Sequence, residues 1–159
     1  MRIGTIMAVG TLLLCGCASW LGAAPSANLP SVIEHSQYCG SSVATARLFY
    51  FRQPAAFAQL VDDRDLEDLN PRAVTGPVLL LGMGRRPTTG YALELLSDQF
   101  RVEGNTLVLR VDWVAPDPDA YVGPGLTSPC LVLSLPSGHY RRVQVIDQSG
   151  DQRVALALK

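Results

Sequence analysis

The stretch Thr106-Leu107-Val108-Leu109-Arg110-Val111-Asp112-Trp113 contains the clearest structural pattern in the chain. Its odd-numbered residues are all apolar, whereas its even-numbered residues include Arg110 and Asp112. Successive side chains of a strand point to opposite faces of a sheet. The stretch therefore predicts a strand with one face in a core and the other face largely in water.

Short apolar runs between turn residues surround this strand and have the same character. Residues 104–105 (Gly-Asn) and 149–150 (Ser-Gly) are tight-turn signals, which favour antiparallel hairpins. The pattern predicts a mainly β fold, an antiparallel sandwich or barrel, with one short helix near residues 55–67. The predicted strands are residues 31–39, 46–52, 77–82, 91–96, 106–113, 130–135, 142–146 and 153–158.

The N-terminus has the pattern of a bacterial lipoprotein signal. Arg2 precedes an apolar stretch over residues 3–14, and Leu-Cys-Gly-Cys at 14–17 resembles a lipobox. We expect a signal peptide over residues 1–16, lipidation of Cys17 and a tether over residues 17–30. Two or three acyl chains anchor a protein durably in a membrane. An ordinary secretory signal, cut a few residues later, is the alternative.

Ala18 follows Cys17 where an aspartate is often linked to inner-membrane retention. We therefore expect the protein in the outer membrane, held by membrane lipid, with residues 31–159 facing the periplasm as a single domain. In a host with a single membrane, the anchor would instead lie on the outer face of that membrane. The formal net charge is −1, and Lys159 is the sole lysine of the chain. Because basic runs are absent from the sequence, a nucleic-acid partner is not expected.

Cys39 and Cys130 are the cysteines that remain after the signal and the lipidation site. In an oxidising compartment they are expected to form a disulfide. Two separate buried thiols are the alternative. The two cysteines and the distant His35 and His139 lack the spacing of a zinc site, so neither a metal nor a cofactor is expected.

No catalytic motif is evident in the sequence, which contains no nucleophile elbow, His-Glu-x-x-His helix or phosphate loop. His35 and His139 are interpreted as surface residues. Five carboxylates near the predicted helix lack the glycine and terminal glutamate of a calcium loop, so they are interpreted as a solvated face. We do not expect the protein to be an enzyme. The carboxylates are Asp62, Asp63, Asp65, Glu67 and Asp68.

Residues 82–91, Gly-Met-Gly-Arg-Arg-Pro-Thr-Thr-Gly-Tyr, form the most unusual segment, which we call the motif loop. Pro87 restricts the backbone and Gly90 can take a positive φ, so the loop should be rigid. Either it binds a protein, or it only connects two strands with Tyr91 as a core anchor. The candidate binding residues are Arg85, Arg86, Pro87, Thr88, Thr89, Gly90 and Tyr91, of which both arginines and both threonines are expected to be exposed.

Over residues 78–146 the chain resembles the PrcB C-terminal domain family. The matching residues are Gly82, Pro87, Thr88, Gly90, Tyr91, Thr127 and Pro129. The family takes its name from a lipoprotein subunit of a bacterial protease complex, thought to assemble or stabilise the protease. The resemblance implies a non-catalytic, protein-binding accessory module whose partner is a protease or another envelope protein.

The motif loop is also similar to the Asn-Pro-Thr-Thr-Gly-Tyr loop of chagasin-type inhibitors of cysteine proteases. Residues 86–91 differ from it only at Arg86, and residues 123–125 (Gly-Pro-Gly) resemble a second inhibitory loop. The third loop, Arg-Pro-aromatic, has no counterpart in the sequence. This similarity implies an immunoglobulin-like or related sandwich and an alternative function as an inhibitor. A purely structural envelope lipoprotein is a further alternative.

Overall fold

The computed structural model describes residues 29–136 and 138–158, with the backbone alone at residues 97–99. The predicted signal peptide, Cys17 and the tether up to residue 28 lie outside the described residues. In chain order the elements are β1 (Ser31–Ser36), β2 (Arg47–Phe51), α1 (Pro54–Asp63), a 3₁₀ turn (Pro71–Ala73), β3 (Val78–Gly82), β4 (Arg86–Thr88), β5 (Ala92–Glu103), β6 (Thr106–Val114), β7 (Pro124–Thr127), β8 (Cys130–Ser134), β9 (Arg142–Ile146) and β10 (Gln152–Ala157).

The strands form two four-stranded sheets and one two-stranded ribbon. The first sheet has the order β1-β8-β3-β2, the second has the order β10-β9-β6-β5, and β4 pairs with β7 in the ribbon. Buried side chains from both four-stranded sheets belong to one apolar cluster, so the sheets pack face to face as a sandwich. The predicted mainly β sandwich with one short helix is confirmed.

The alternating strand that dominates the sequence supplies the centre of this core. Leu107, Leu109 and Val111 of β6 are fully buried. Leu81 of β3 and Leu131 of β8 meet them from the first sheet. Burial of these large aliphatic side chains is the main stabilising contribution to the sandwich.

The first sheet is covered on both faces. Val78 and Leu80 point away from the sandwich core and pack in a second cluster with Phe57 and Val61 of α1. β3 is therefore apolar at nearly every position, as expected for a strand buried on both faces. The result is a three-layer arrangement in which α1 lies over the first sheet.

The structure differs from the sequence prediction in several element boundaries and in the direction of one strand pair. Helix α1 ends at Asp63, although Leu66 beyond it still packs in the second cluster. Strand β5 continues to Glu103, with a register shift between Leu95 and Phe100. The sheets are not wholly antiparallel, since β6 and β9 run parallel. After β6 the chain crosses to the first sheet, where it forms β8, and then returns to the second sheet as β9. A crossover of this length, and not a hairpin turn, therefore connects the two parallel strands.

Candidate functional site

The base of the motif loop is fixed by backbone contacts with two other segments. The amide of Met83 donates to the carbonyl of Pro129 at 2.8 Å, and the amide of Arg85 donates to the carbonyl of Val43 at 2.7 Å. Between them, Gly84 has φ +87°, and a Cβ there would lie 2.6 Å from the carbonyl oxygen of Ala44. Only glycine fits this approach without a backbone shift.

A disulfide bond stabilises the segments that contact the base of the motif loop. Cys39 and Cys130 are bonded, with 6.0 Å between their Cα atoms, which confirms the predicted pairing. The amide of Cys39 also donates to the carbonyl of Ser128 at 3.0 Å. The bond thus ties the segment that precedes β2, including Val43, to the start of β8.

Arg86 turns back onto the loop instead of pointing into solvent. One of its Nη atoms donates to the carbonyl of Met83 at 2.8 Å, and the guanidinium lies 5.7 Å from the centre of the Tyr91 ring. Its Nε is buried and has no hydrogen-bond partner among the described residues. Arg86 is therefore partly buried, which departs from the expected exposure and gives it a part in holding the loop's shape.

The motif loop contains a short strand that the sequence analysis did not predict. Arg86 of β4 lies opposite Thr127 of β7, and Thr88 lies opposite Pro124. The hydroxyl of Thr127 donates to the carbonyl of Thr88 at 2.9 Å. The sequence signal for a strand is weak here, because β4 has only three residues, the central one is a proline, and no apolar run marks it.

Thr89 joins the loop to the segment before β7. Its Oγ1 accepts a hydrogen bond from the amide of Gly123 at 3.0 Å, and its own amide donates to the carbonyl of Gly123 at 3.3 Å. Both Thr88 and Thr89 are partly buried, in contrast to their expected exposure. The two threonines thus contribute to the fixed shape of the loop through these contacts.

Gly90 and Tyr91 complete the loop. Gly90 has φ +90°, and a Cβ at this position would lie 3.0 Å from the Cβ of Pro116. The Tyr91 ring is partly buried against the sandwich core. These contacts place the 115–123 segment, whose position the sequence left open, directly beside the motif loop.

The 115–123 segment presents an aromatic side chain to solvent. The carboxylate of Asp117 accepts from the amide of Asp119 at 3.0 Å, and its carbonyl accepts from the amide of Ala120 at 2.9 Å. This turn leads into Tyr121, whose exposed fraction is 97%. Leu126 of β7 is 64% exposed. Large apolar side chains indicate a contact site when several lie together at the surface, and these two are five residues apart in the chain.

We use the name ribbon surface for the exposed residues of β4, β7 and the segments that flank them. Of the predicted binding residues, Arg85, Pro87 and Gly90 are exposed, and Arg86, Thr88, Thr89 and Tyr91 support them from partly buried positions. The sequence analysis missed Tyr121 and Leu126, since single apolar residues between turns have no periodicity. The ribbon surface consists of Arg85, Pro87, Gly90, Tyr121, Pro124, Gly125 and Leu126.

The described residues contain no group of three or more His, Cys, Asp or Glu that could hold a metal ion. The predicted solvated face is indeed exposed, and the Asp68 carboxylate accepts a hydrogen bond from the hydroxyl of Ser36 at 3.2 Å. His35 and His139 are exposed, on β1 and in the connection after Pro136. Within the described part of the chain, no helix is long and apolar enough to span a bilayer.

Residues 78–136 match the family model described as PrcB C-terminal. This match confirms the resemblance carried by the motif loop; it begins at Val78, as predicted, and ends at Pro136, ten residues before the predicted end. The matched segment runs from β3 through β8, so it contains the ribbon, both central strands of the first sheet and β5 and β6 of the second sheet. No curated protein and no solved structure matches the chain.

Proposed function

We propose that the chain is a non-catalytic, protein-binding accessory subunit of a protease complex in the cell envelope. One observation carries the proposal: the matched segment builds a rigid ribbon that holds Tyr121 and Leu126 in solvent. Aromatic and arginine side chains are enriched at contact hot spots. Because hydrogen bonds already fix the ribbon in the free protein, binding a partner costs little additional conformational entropy.

The side chains on this surface fit binding better than turnover. Tyr121 and Leu126 supply apolar contact area, and Arg85 supplies a charge at the edge. The ribbon surface contains no histidine or cysteine that could serve as a general base. The adjoining 115–123 segment has two exposed carboxylates, Asp117 and Asp119, and that of Asp117 accepts a hydrogen bond from the backbone of its own turn. We infer that its role is to hold or assemble a partner enzyme.

A lipid anchor at Cys17 would place this module at a membrane. We propose that the mature chain begins at Cys17 and that lipid holds it in the outer membrane, facing the periplasm. Mass spectrometry of the N-terminal peptide is expected to find acyl chains on Cys17, and Cys17→Ser is expected to remain unlipidated. An unmodified N-terminus at a later residue would instead indicate an ordinary secretory signal.

Co-purification from native envelopes tests the binding role. The test variant is Arg85→Glu/Tyr121→Ala/Leu126→Ala, which changes only exposed residues. The control, Tyr38→Ala/Val102→Ala, removes exposed apolar side chains outside the ribbon surface. We expect a protease to co-purify with the wild type and the control and to be lost with the test variant. The same proteins in all three samples would contradict the proposal.

Inhibition of a cysteine protease is a second candidate, favoured by one contact. The hydrogen bond between Thr89 and Gly123 brings together the two loops that resemble inhibitory loops. An inhibitor would abolish papain activity at nanomolar concentration, and Gly125→Glu would weaken that inhibition. Full papain activity at micromolar protein would exclude this candidate and leave the accessory role in place.

A further inference from the structure

A concave site lies beside the base of the motif loop, where Gly82 and Gly84 line it, between the helical layer and the first sheet. It is a cavity of about 350 Å³, near the lower end of the range for small-ligand sites. Phe49 and Leu80 line it from the sheet, and Leu60 and Leu66 line it from α1 and the residues after it. The site therefore has an apolar wall on two sides.

Two arginines give the cavity a positive charge. Arg47 begins β2, and Arg64 follows α1, so they reach the cavity from different elements. No aspartate or glutamate lines the cavity, and neither arginine forms a salt bridge with a described residue. The Arg64 guanidinium lies 5.7 Å from the centre of the Phe49 ring, at the junction of the charged and apolar parts. An anionic group attached to an apolar group would complement both parts.

The rest of the lining is polar and small. Ser41, Ser42 and Ser128 contribute hydroxyl groups, and Gly40 exposes its backbone. The hydroxyl of Ser41 donates to the carbonyl of Val43 at 3.0 Å, so its oxygen retains capacity to accept. A bare acyl chain would leave such groups without partners, whereas the amide groups of a peptide can satisfy them.

We propose that this cavity binds the C-terminal end of a peptide whose last residue is apolar. Arg47 and Arg64 receive the terminal carboxylate, and the last side chain packs against Phe49, Leu60 and Leu80. The serine hydroxyls and the exposed backbone pair with the preceding amide. No residue of the ribbon surface lines this cavity, so the proposal does not depend on whether that surface binds a protease.

The test uses the mature protein in detergent and two probe peptides, acetyl-Ala-Leu with a free carboxylate and the same peptide as its amide. We expect the acid to bind with a Kd about tenfold lower than that of the amide, because only the acid can form charge-assisted hydrogen bonds with the arginines. In Arg47→Gln/Arg64→Gln the acid is expected to bind no better than the amide. Arg72→Gln, which changes an exposed arginine outside the cavity, should bind as the wild type does.

Octanoate is the third probe and separates a peptide end from a fatty acid. Weaker binding of octanoate than of acetyl-Ala-Leu supports the peptide assignment. Tighter binding of octanoate would overturn it, as would equal affinity for the acid and the amide or no binding of either. Thermal unfolding of each variant confirms that a lost affinity is not a lost fold.

Discussion

The hydroxyl oxygen of Thr89 accepts a hydrogen bond from the backbone amide of Gly123, 3.0 Å away and 34 residues later in the chain. This contact fastens the motif loop to the segment that presents Tyr121. Thr89→Val keeps the side-chain shape but leaves the amide without this acceptor, so we expect a loss of about 1–2 kcal/mol in the free energy of unfolding. Thr89→Ser should restore most of it.

Chemical denaturation measures that loss, and amide hydrogen exchange measures where it acts. Faster exchange in Thr89→Val should be confined to residues 115–124 and the motif loop. Unchanged exchange there would show that the contact does not hold the ribbon surface in place.

Gly84 is required by a close approach of two backbone segments. Gly84→Ala places a Cβ 2.6 Å from the Ala44 carbonyl oxygen at a φ of +87°, so we expect destabilisation of about 2–4 kcal/mol. Gly76→Ala is the matched control, because no atom lies within 4 Å of its added Cβ and its φ is not positive. Equal unfolding midpoints for the two variants would contradict the close approach at Gly84.

The disulfide closes a long loop, since Cys39 and Cys130 are 91 residues apart. On the chain-entropy model the bond stabilises the fold by about 4.6 kcal/mol. Cys39→Ala/Cys130→Ala should therefore unfold at a markedly lower denaturant concentration than the oxidised wild type, and reductant should have little effect on the variant. If reductant leaves the wild-type midpoint unchanged, the bond does not contribute this stability.

Asp147 organises the turn between β9 and β10. Its carboxylate accepts hydrogen bonds from the amides of Ser149 and Asp151, each at 2.9 Å, and pairs with Arg153 at 2.7 Å. Burial alone would raise the pKa of this carboxyl, but the bonds from Asp151, Arg153 and Ser149 outweigh it and lower the pKa below the ordinary 3.8. The charged form is therefore the one that stabilises the fold.

Because the pKa is lower in the folded state, the stability from Asp147 is present above pH 3.8 and is lost as the pH falls through the lower folded value. Near pH 7 we expect Asp147→Asn to be about 1–2 kcal/mol less stable than the wild type. Urea unfolding at several pH values should show this difference shrinking in acid. A difference independent of pH would show that the charge is not what stabilises the turn.

The sequence predicted the elements whose signals are local. The alternation around Leu107 identified β6, and the turn signals at residues 104–105 and 149–150 identified two hairpins that the structure confirms. The disulfide was also predicted, because the presumed compartment and the cysteine count left one pair. These features could be predicted because each depends on a few neighbouring residues or on the number of cysteines.

The parts that depend on distant contacts were not predicted. The exposure expected for Arg86 was wrong because its guanidinium folds back to Met83 and Tyr91, a contact without a sequence signal. The ribbon depends on pairing between residues about 40 positions apart, and the exposure of Tyr121 depends on how its segment packs against Gly90. Such non-local contacts leave no periodicity in the sequence.

Site-specific photocrosslinking from Tyr121 tests the proposed function most directly. A photoreactive phenylalanine derivative replaces Tyr121 in the protein expressed in its native cells, and the same replacement of Val102, an exposed residue of β5, is the matched control. The account predicts a discrete crosslink from position 121 to a protease and none from position 102. Identical products from both positions, or no crosslink to a protease from position 121, would contradict it.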